Sequence, residues 1–405
     1  MAAIFSKQIP HKFSPLVFGL LIWLAVAGCA GQPAISPQTA NPEANDTSTA
    51  GDNAISGETL HLAWTYQANG SINDSPVPVG DVVVAGPVGG PLLALDAQSG
   101  ELRWQYKPEG RLWERAVAGA ENLVIVGSEN GVLTALDVAT GEPVWSVDVG
   151  INVQMAPLVA GDVIYVPTTF VGPGIKANPQ GHAKLLALNV ADGTERWSAE
   201  TENYILQTPF ATADTVYVGG SYQNPAVEVD EGGPMRVYAF SAEDGSRRWV
   251  YEAEDGFVKA IYANDDAVAY IAYQDFANVL DAANGSLRWR KDTGNWVPSL
   301  SGSGDTVYFS SANTVIHALN TTTGKVSWKH NIGGDTFNYG LGAPVRQGDT
   351  LYVLSQRGGI LALNAADGSQ VWKFSSGIVG SRDGLSVNGH WIYIGDADGN
   401  IYGFT

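Results

Sequence analysis

The sequence predicts an all-β fold: an eight-bladed β-propeller of four-stranded antiparallel blades, closed by pairing N- and C-terminal segments in one blade. Three observations predict it. Eight tryptophans (Trp64, Trp104, Trp145, Trp197, Trp249, Trp289, Trp328 and Trp372) recur at steps of 40, 41, 52, 52, 40, 39 and 44 residues. A period near forty marks an array of small, similar units. Seven of these tryptophans end one recurring phrase, from LALDAQSGELRW at 93–104 to LALNAADGSQVW at 361–372. Ahead of each phrase lies a second pair of short apolar runs, as in MAPLVAGDVIYVP (155–167) and GAPVRQGDTLYVL (342–354).

The recurring phrase reads as a hairpin. An apolar run ends in a turn-forming residue, usually Asp or Asn, and glycine follows four residues later. Asp and Asn bond locally to the backbone, and glycine takes positive φ without steric cost. The following run carries the tryptophan on the second strand. All seven phrases keep the glycine, at 100, 141, 193, 245, 285, 324 and 368. The residue ten before the tryptophan is alanine in six and Val279 in the other. Its small size is expected to make room for a neighbouring indole, so that each tryptophan packs between adjacent units. The preceding strand pairs start near Pro76, Ala116, Pro157, Pro209, Ala260, Pro298, Pro344 and Leu385. Four strands in each of eight units make a propeller. After Trp372 the chain supplies strands near 384–387, 391–395 and 400–404 only, while LHLAWTYQ (60–67) is an isolated tryptophan strand. It is expected to be the fourth strand of the last blade, clasping the ring and covering an open sheet edge.

The N-terminal segment reads as processing and tethering sequence. Lys7, His11 and Lys12 precede the apolar stretch LVFGLLIWLAVAG (16–28), which is short for a spanning helix. Val26-Ala27-Gly28-Cys29 resembles the lipobox of bacterial lipoproteins, and Cys29 is the sole cysteine. The resemblance implies a signal peptide over 1–28 and lipid on Cys29. Residues 29–57 are small, polar and free of aromatics, the composition of a flexible tether, and 58–405 is the propeller domain. The chain carries 22 basic and 41 acidic residues, net −19; without the signal segment the balance is −21. Such a surface excludes nucleic acid as a partner and repels anionic headgroups. Without a second cysteine no disulfide closes the ring, so packing alone must hold it. The propeller itself is expected to be a monomer.

Phrases of the form A-x-[DN]-x-x-x-G-x-x-x-W resemble pyrroloquinoline quinone (PQQ) repeats, over residues 60–405. Two groups share them: PQQ-dependent dehydrogenases, and the lipoprotein propellers of the outer-membrane β-barrel assembly machinery. With its lipobox, short linker and single ring, the chain resembles the second more. That resemblance implies a non-enzymatic scaffold at the outer membrane, on the periplasmic side, beside the β-barrel insertase. In a single-membrane cell it implies the outer face of the plasma membrane. The dehydrogenase resemblance would imply PQQ with calcium, a vicinal cysteine pair and a carboxylate base. The cysteine pair and the haem motif CxxCH are missing, and the acids nearest a funnel, Asp74, Glu114 and Asp383, fall on different blades. No catalytic, cofactor or metal residues are therefore assigned. GDADGN (395–400) resembles the start of a calcium loop but falls where other blades turn, and His182, His317, His330 and His390 have no zinc spacing.

The segments that lead into each blade hold the candidate partner-binding residues: Arg111, Trp113, Glu114, Arg115, Tyr204, Gln207, Lys259, Trp296, Tyr339 and Arg382. Trp, Tyr and Arg are the side chains that anchor protein interfaces, and Trp113 and Trp296 stand outside the repeating series. Two long insertions, 169–184 and 221–236, account for the two steps of 52 and are expected side by side on the same face. An alternative use of this aromatic funnel is a small ligand or carbohydrate.

Overall fold

The computed structural model describes residues 60–150, 152–170, 182–221, 234–253, 258–272, 276–293, 297, 299–311, 315–332, 342–355, 359–375, 378 and 380–405. The expected signal peptide, Cys29 and the tether lie outside these residues. So do most of both insertions.

All regular elements among the described residues are strands, gathered into eight antiparallel sheets. The first blade is Val77–Val79, Val82–Ala85, Leu92–Asp96 and Leu102–Tyr106 in order. Blades two to seven span 112–148, 158–200, 205–253, 258–292, 299–331 and 345–375. In the fourth, the innermost strand is split into Ile205–Leu206 and Phe210–Ala211, both paired with Thr215–Ser221. The eighth blade is Gly380–Asn388, Trp391–Asp396, Asn400–Phe404 and, from the other end of the described chain, Leu62–Gln67. Thr65 pairs with Tyr402 and Gln67 with Asn400, so the expected closure of the ring is present.

First strands of successive blades lie against one another all the way round, and Gly380–Asn388 returns to Val77–Val79. First strands therefore form the inner wall. Second and third strands are covered on both faces by neighbouring blades. This explains their continuous apolar runs, such as VVVA (82–85) and VIYVP (163–167), every residue of which is buried. The outermost strands alternate, with the tryptophan facing inward between exposed neighbours.

The blade boundary is built around the indole. Trp104 Nε1 donates to Val138 O at 2.8 Å, Trp197 to Ala242 O at 3.0 Å and Trp249 to Ala282 O at 2.8 Å, each acceptor belonging to the next blade. Each ring lies over the glycine of that blade's hairpin. A Cβ on Gly141 would stand 2.5 Å from Trp104, one on Gly245 2.5 Å from Trp197, and one on Gly100 2.5 Å from Trp64. Thus the regularly spaced glycine has two jobs. It takes φ near +70° in the turn, and it leaves the hollow in which the preceding indole sits. The small residue ten before the tryptophan of each phrase has a different place from the one expected. Ala94 pairs directly with Trp104, and Ala187 with Trp197, within the same blade. The neighbour's indole is received by the glycine instead. Trp372 faces the eighth blade, which lacks the phrase, and packs in one cluster with Leu60, Leu385, Ile392 and Phe404.

A bulge precedes every tryptophan in the seven phrases: Ala94 pairs with Trp104 but Leu95 with Leu102, leaving Arg103 outside the ladder. A bulge re-aims its extra side chain. Here Arg103 reaches the turn acids Asp96 at 2.5 Å and Asp81 at 2.6 Å. Arg288 repeats the clasp on Asp281 and Asp266, while Arg196 spans Asn189 and Asp162. The Arg103 guanidinium, with the Ser99 amide, holds the Asp96 carboxyl down to about 2.

Two outcomes follow from this boundary. Gly245→Ala places a methyl into the Trp197 ring at φ +71°, whereas Gly348→Ala at φ +58° meets nothing within 4 Å. Urea denaturation is expected to show a loss of about 2–4 kcal/mol for the first and about 1 kcal/mol for the second. Asp96→Asn keeps the turn, because Asn320 and Asn364 cap equivalent turns, but removes the titrating partner of Arg103. Because the folded pKa is depressed, the Asp96 contribution is present above its unfolded value near 3.8 and is lost as pH falls toward 2. The stability difference between wild type and Asp96→Asn should therefore shrink between pH 4 and pH 2 in thermal melts.

Candidate functional site

Strand direction divides the ring into two faces. Turns between first and second strands, and between third and fourth, share one face with the indole seats and arginine clasps. The segments leading into each blade share the other with the loops between second and third strands. Backbone bonds tie these two sets together: Glu129 N donates to Arg111 O at 2.9 Å, Thr169 N to Asn152 O at 2.7 Å and Ile72 N to Asp396 O at 2.9 Å.

On this loop face the first two blades form one cluster. Arg115 Nε stands 3.1 Å from Asp74 Oδ1, joining the approaches to blades one and two, with both side chains about one-sixth exposed. The Arg111 guanidinium lies 4.8 Å over the Trp113 ring, a cation–π contact at an exposed site. Trp113 packs partly on the core of blades two and three, and its buried indole N–H has no partner among the described residues. Ser75 Oγ, beside Asp74, is buried and unpartnered in the same sense. The cluster thus combines two guanidinium groups, an aromatic face, a carboxylate and buried donors. Such a set can hydrogen-bond or pair with a polar or charged group.

The bases of both insertions form a second cluster next to it, between blades three and four. Tyr204 is buried, with Phe170 and His182 rings 6.4 and 5.6 Å away. Its ring therefore braces the root of the first insertion and is not presented at the surface. Gln207 N donates to Gly219 O. Sequence reasoning missed Asn203, which is fully buried. Its Nδ2 donates to Pro234 O at 3.1 Å and its Oδ1 accepts from Tyr238 Oη at 2.5 Å, fixing the root of the second insertion. Gly220 has no room for a Cβ beside Asn203 Oδ1, 2.6 Å away. The adjacent glycines 219 and 220 inside a strand were the available signal of a close approach. Glu114, Lys259 and Arg382 belong to strands Leu112–Ala120, Val258–Ala263 and Gly380–Asn388, with side chains outside the described set. Trp296 and Tyr339 lie outside the described residues.

The remaining motifs are structural. Both Asp396 oxygens are taken by the turn, accepting from Asp398 N, Asn400 N, Asn400 Nδ2 and Tyr402 Oη. His317 stacks on Phe309 at 4.9 Å; burial, with Lys329 and Lys291 nearby, holds it down to about 4, so it is neutral at physiological pH. Among the described residues, no group of three or more His, Cys, Asp or Glu side chains is arranged to hold a metal ion. Asp74, a funnel acid described here, is directed at Arg115, which does not suit it as a calcium ligand.

Fold and site together define a repeat propeller with an elaborated loop face. A sequence profile of the family described as outer membrane protein assembly factor BamB matches residues 25–112, 108–329 and 229–405, and the chain belongs to that family. The outer membrane protein assembly factor BamB of Legionella pneumophila (strain Paris) is 40% identical over 63 residues, 15% of this chain and 16% of that protein. Among solved structures, BamB from Moraxella catarrhalis aligns with TM-score 0.64 and 20% identity, over 85% of this chain and 99% of its own. Quinohemoprotein alcohol dehydrogenase from Comamonas testosteroni aligns with TM-score 0.65 and 15% identity, over 87% and 78%. The designed protein Ika8 aligns with TM-score 0.66 and 14% identity, over 87% and 99%. These likenesses show the ring itself.

Asp74 and Arg115 make a checkable pair. Asp74→Ala leaves Arg115 partly buried beside the vacated carboxylate, and a loss of about 2–3 kcal/mol is expected in denaturant melts. Asp74→Leu with Arg115→Met should recover most of it, since both charges are then gone.

Proposed function

We propose that this chain is a non-enzymatic scaffold of the cell envelope that acts in assembly of outer-membrane β-barrel proteins. In this reading lipid on Cys29 anchors it, residues 29–57 tether it, and the loop face of the ring binds partner proteins, the β-barrel insertase among them. The Arg111, Trp113, Arg115 and Asp74 cluster carries the proposal: it gathers an indole and two guanidinium groups on the loop face, outside the recurring phrase. Membership of the assembly-factor family supports the process. The acidic ring favours partners with basic surfaces and discourages contact with anionic lipid. Trp296, Tyr339, Lys259 and Arg382 extend the same binding face in this proposal, and Glu114 gives it a further charge.

The test is cross-linking in the native envelope followed by affinity recovery and mass spectrometry. Trp113→Ala with Arg111→Glu should lower recovery of a β-barrel insertase at least about tenfold, the scale of one or two lost anchors. Asp192→Lys, on the opposite face, should not. Unchanged recovery from a folded double variant, judged by an unaltered melt, would overturn the loop-face assignment.

A further inference from the structure

The turn face, which the repeat occupies with its own packing, is not uniformly closed. Between blades three and four it holds a cavity of about 490 Å³ lined by Asp162, Tyr165, Arg196, Ala213, Asp214 and Arg248, among others. That is within the size range of small-molecule sites. Two other boundaries place side-chain contacts across this space. Between blades five and six, Tyr262 Oη and Asn264 Nδ2 both donate to Gly304 O, at 2.9 and 2.8 Å. Between blades four and five, the Phe210 and Tyr262 rings meet edge to face at 5.2 Å. At the third blade the inner strand ends in Val159 and Ala160, which are too short to reach across.

The chemistry of the walls narrows the ligand. Arg196 is paired with Asp162 at 2.6 Å and Arg248 with Asp214 at 2.9 Å, so each wall carries its own compensated ion pair. Tyr165 is 3% exposed. In blades six and eight the matching tyrosines, Tyr308 and Tyr393, donate to Ala365 O and Ala97 O of the next blade. The Tyr165 hydroxyl has no such bond to any described residue, and it lines the cavity. Burial raises its pKa, so it stays neutral and offers both a donor and an acceptor. The charges of the two pairs cancel within each wall, and Glu243, also in the lining, disfavours an anion.

We infer that the cleft between blades three and four binds a neutral, polyhydroxylated ligand of mono- or disaccharide size, with Tyr165 Oη and the exposed edges of the two arginine–aspartate pairs bonding its hydroxyls. The site is on the face opposite the proposed partner surface, so either assignment can fail without the other.

The indole of Trp197 supplies the reporter: its N–H bonds to Ala242 O, and Ala242 lines the cleft. The full chain is titrated with glucose, N-acetylglucosamine and trehalose while the indole cross-peaks are followed by ¹H–¹⁵N NMR, with spermidine and inorganic phosphate as cation and anion arms. At least one saccharide should shift the Trp197 cross-peak saturably. Tyr165→Phe should raise Kd about 5- to 10-fold, the worth of one neutral hydrogen bond. Ala213→Trp, in the exposed turn, should abolish the shift while leaving the other indole peaks in place. The inference is overturned if no saccharide moves the Trp197 peak, if Tyr165→Phe binds as tightly as wild type, or if only spermidine or phosphate binds.

Discussion

One contact sets the construction of this ring: an outer-strand indole lying on a hairpin glycine of the following blade. The indole nitrogen has a carbonyl partner there, so a large apolar group and its polar atom are buried in one step. The glycine must lack a Cβ to let the ring approach, and must lack one again to hold the turn at positive φ. Both requirements fall on one residue, which is why all seven phrases keep the glycine while the residues around it vary. A change at either partner strains two blades at once. The arginine clasps are a secondary consequence. The bulge that presents the tryptophan to its neighbour leaves the residue before it outside the ladder, and an arginine there finds the carboxylates of its own blade's turns.

Much of this was legible in the sequence because the repeat writes the same instruction many times. The number of blades, the hairpin under each tryptophan and the closure by 60–67 all follow from spacing and from the order of strands. That each tryptophan packs between adjacent blades was legible too; what escaped was which residues receive it. Glycine was recognisable as a turn residue, yet its service as an indole seat depends on how far one blade is rotated from the next. The small residue opposite the tryptophan of each phrase was assigned to the wrong indole for the same reason: spacing along the chain does not distinguish a partner on the adjacent strand from one on the adjacent blade. Tyr204 looked like a surface anchor because it is aromatic and lies in a lead-in segment. Its burial under Phe170 and His182 arises from residues more than twenty positions away that the fold brings back over it.

The two faces of the ring are under different constraints. On the turn face, most side chains near a blade boundary are committed to the seat, the clasp or the short turn. On the loop face, the repeat specifies only that the chain must cross to the next inner strand, and the crossing segments differ in length and composition. The Asp74–Arg115 pair joins two of these crossings and has no counterpart in the recurring phrase. Asn203 does similar work beneath the second insertion. Such one-off contacts are what convert a generic ring into a particular surface.

Fold likeness alone does not separate the possible roles. Similar rings occur in an assembly factor, in an alcohol dehydrogenase and in a designed protein, at comparable TM-scores and with identities of 14–20%. A ring common to all three cannot be the source of what distinguishes them. The discriminating residues have to be those that the ring does not require for its own stability. By that criterion the eight tryptophans, the seven glycines and the clasping arginines drop out, whatever their number. The Arg111–Trp113 stack remains. Trp113 rests partly on the core of blades two and three, and the Arg111 guanidinium lies over its ring. This stack belongs neither to the indole seats nor to the arginine clasps, which makes this corner of the loop face the logical starting point for function.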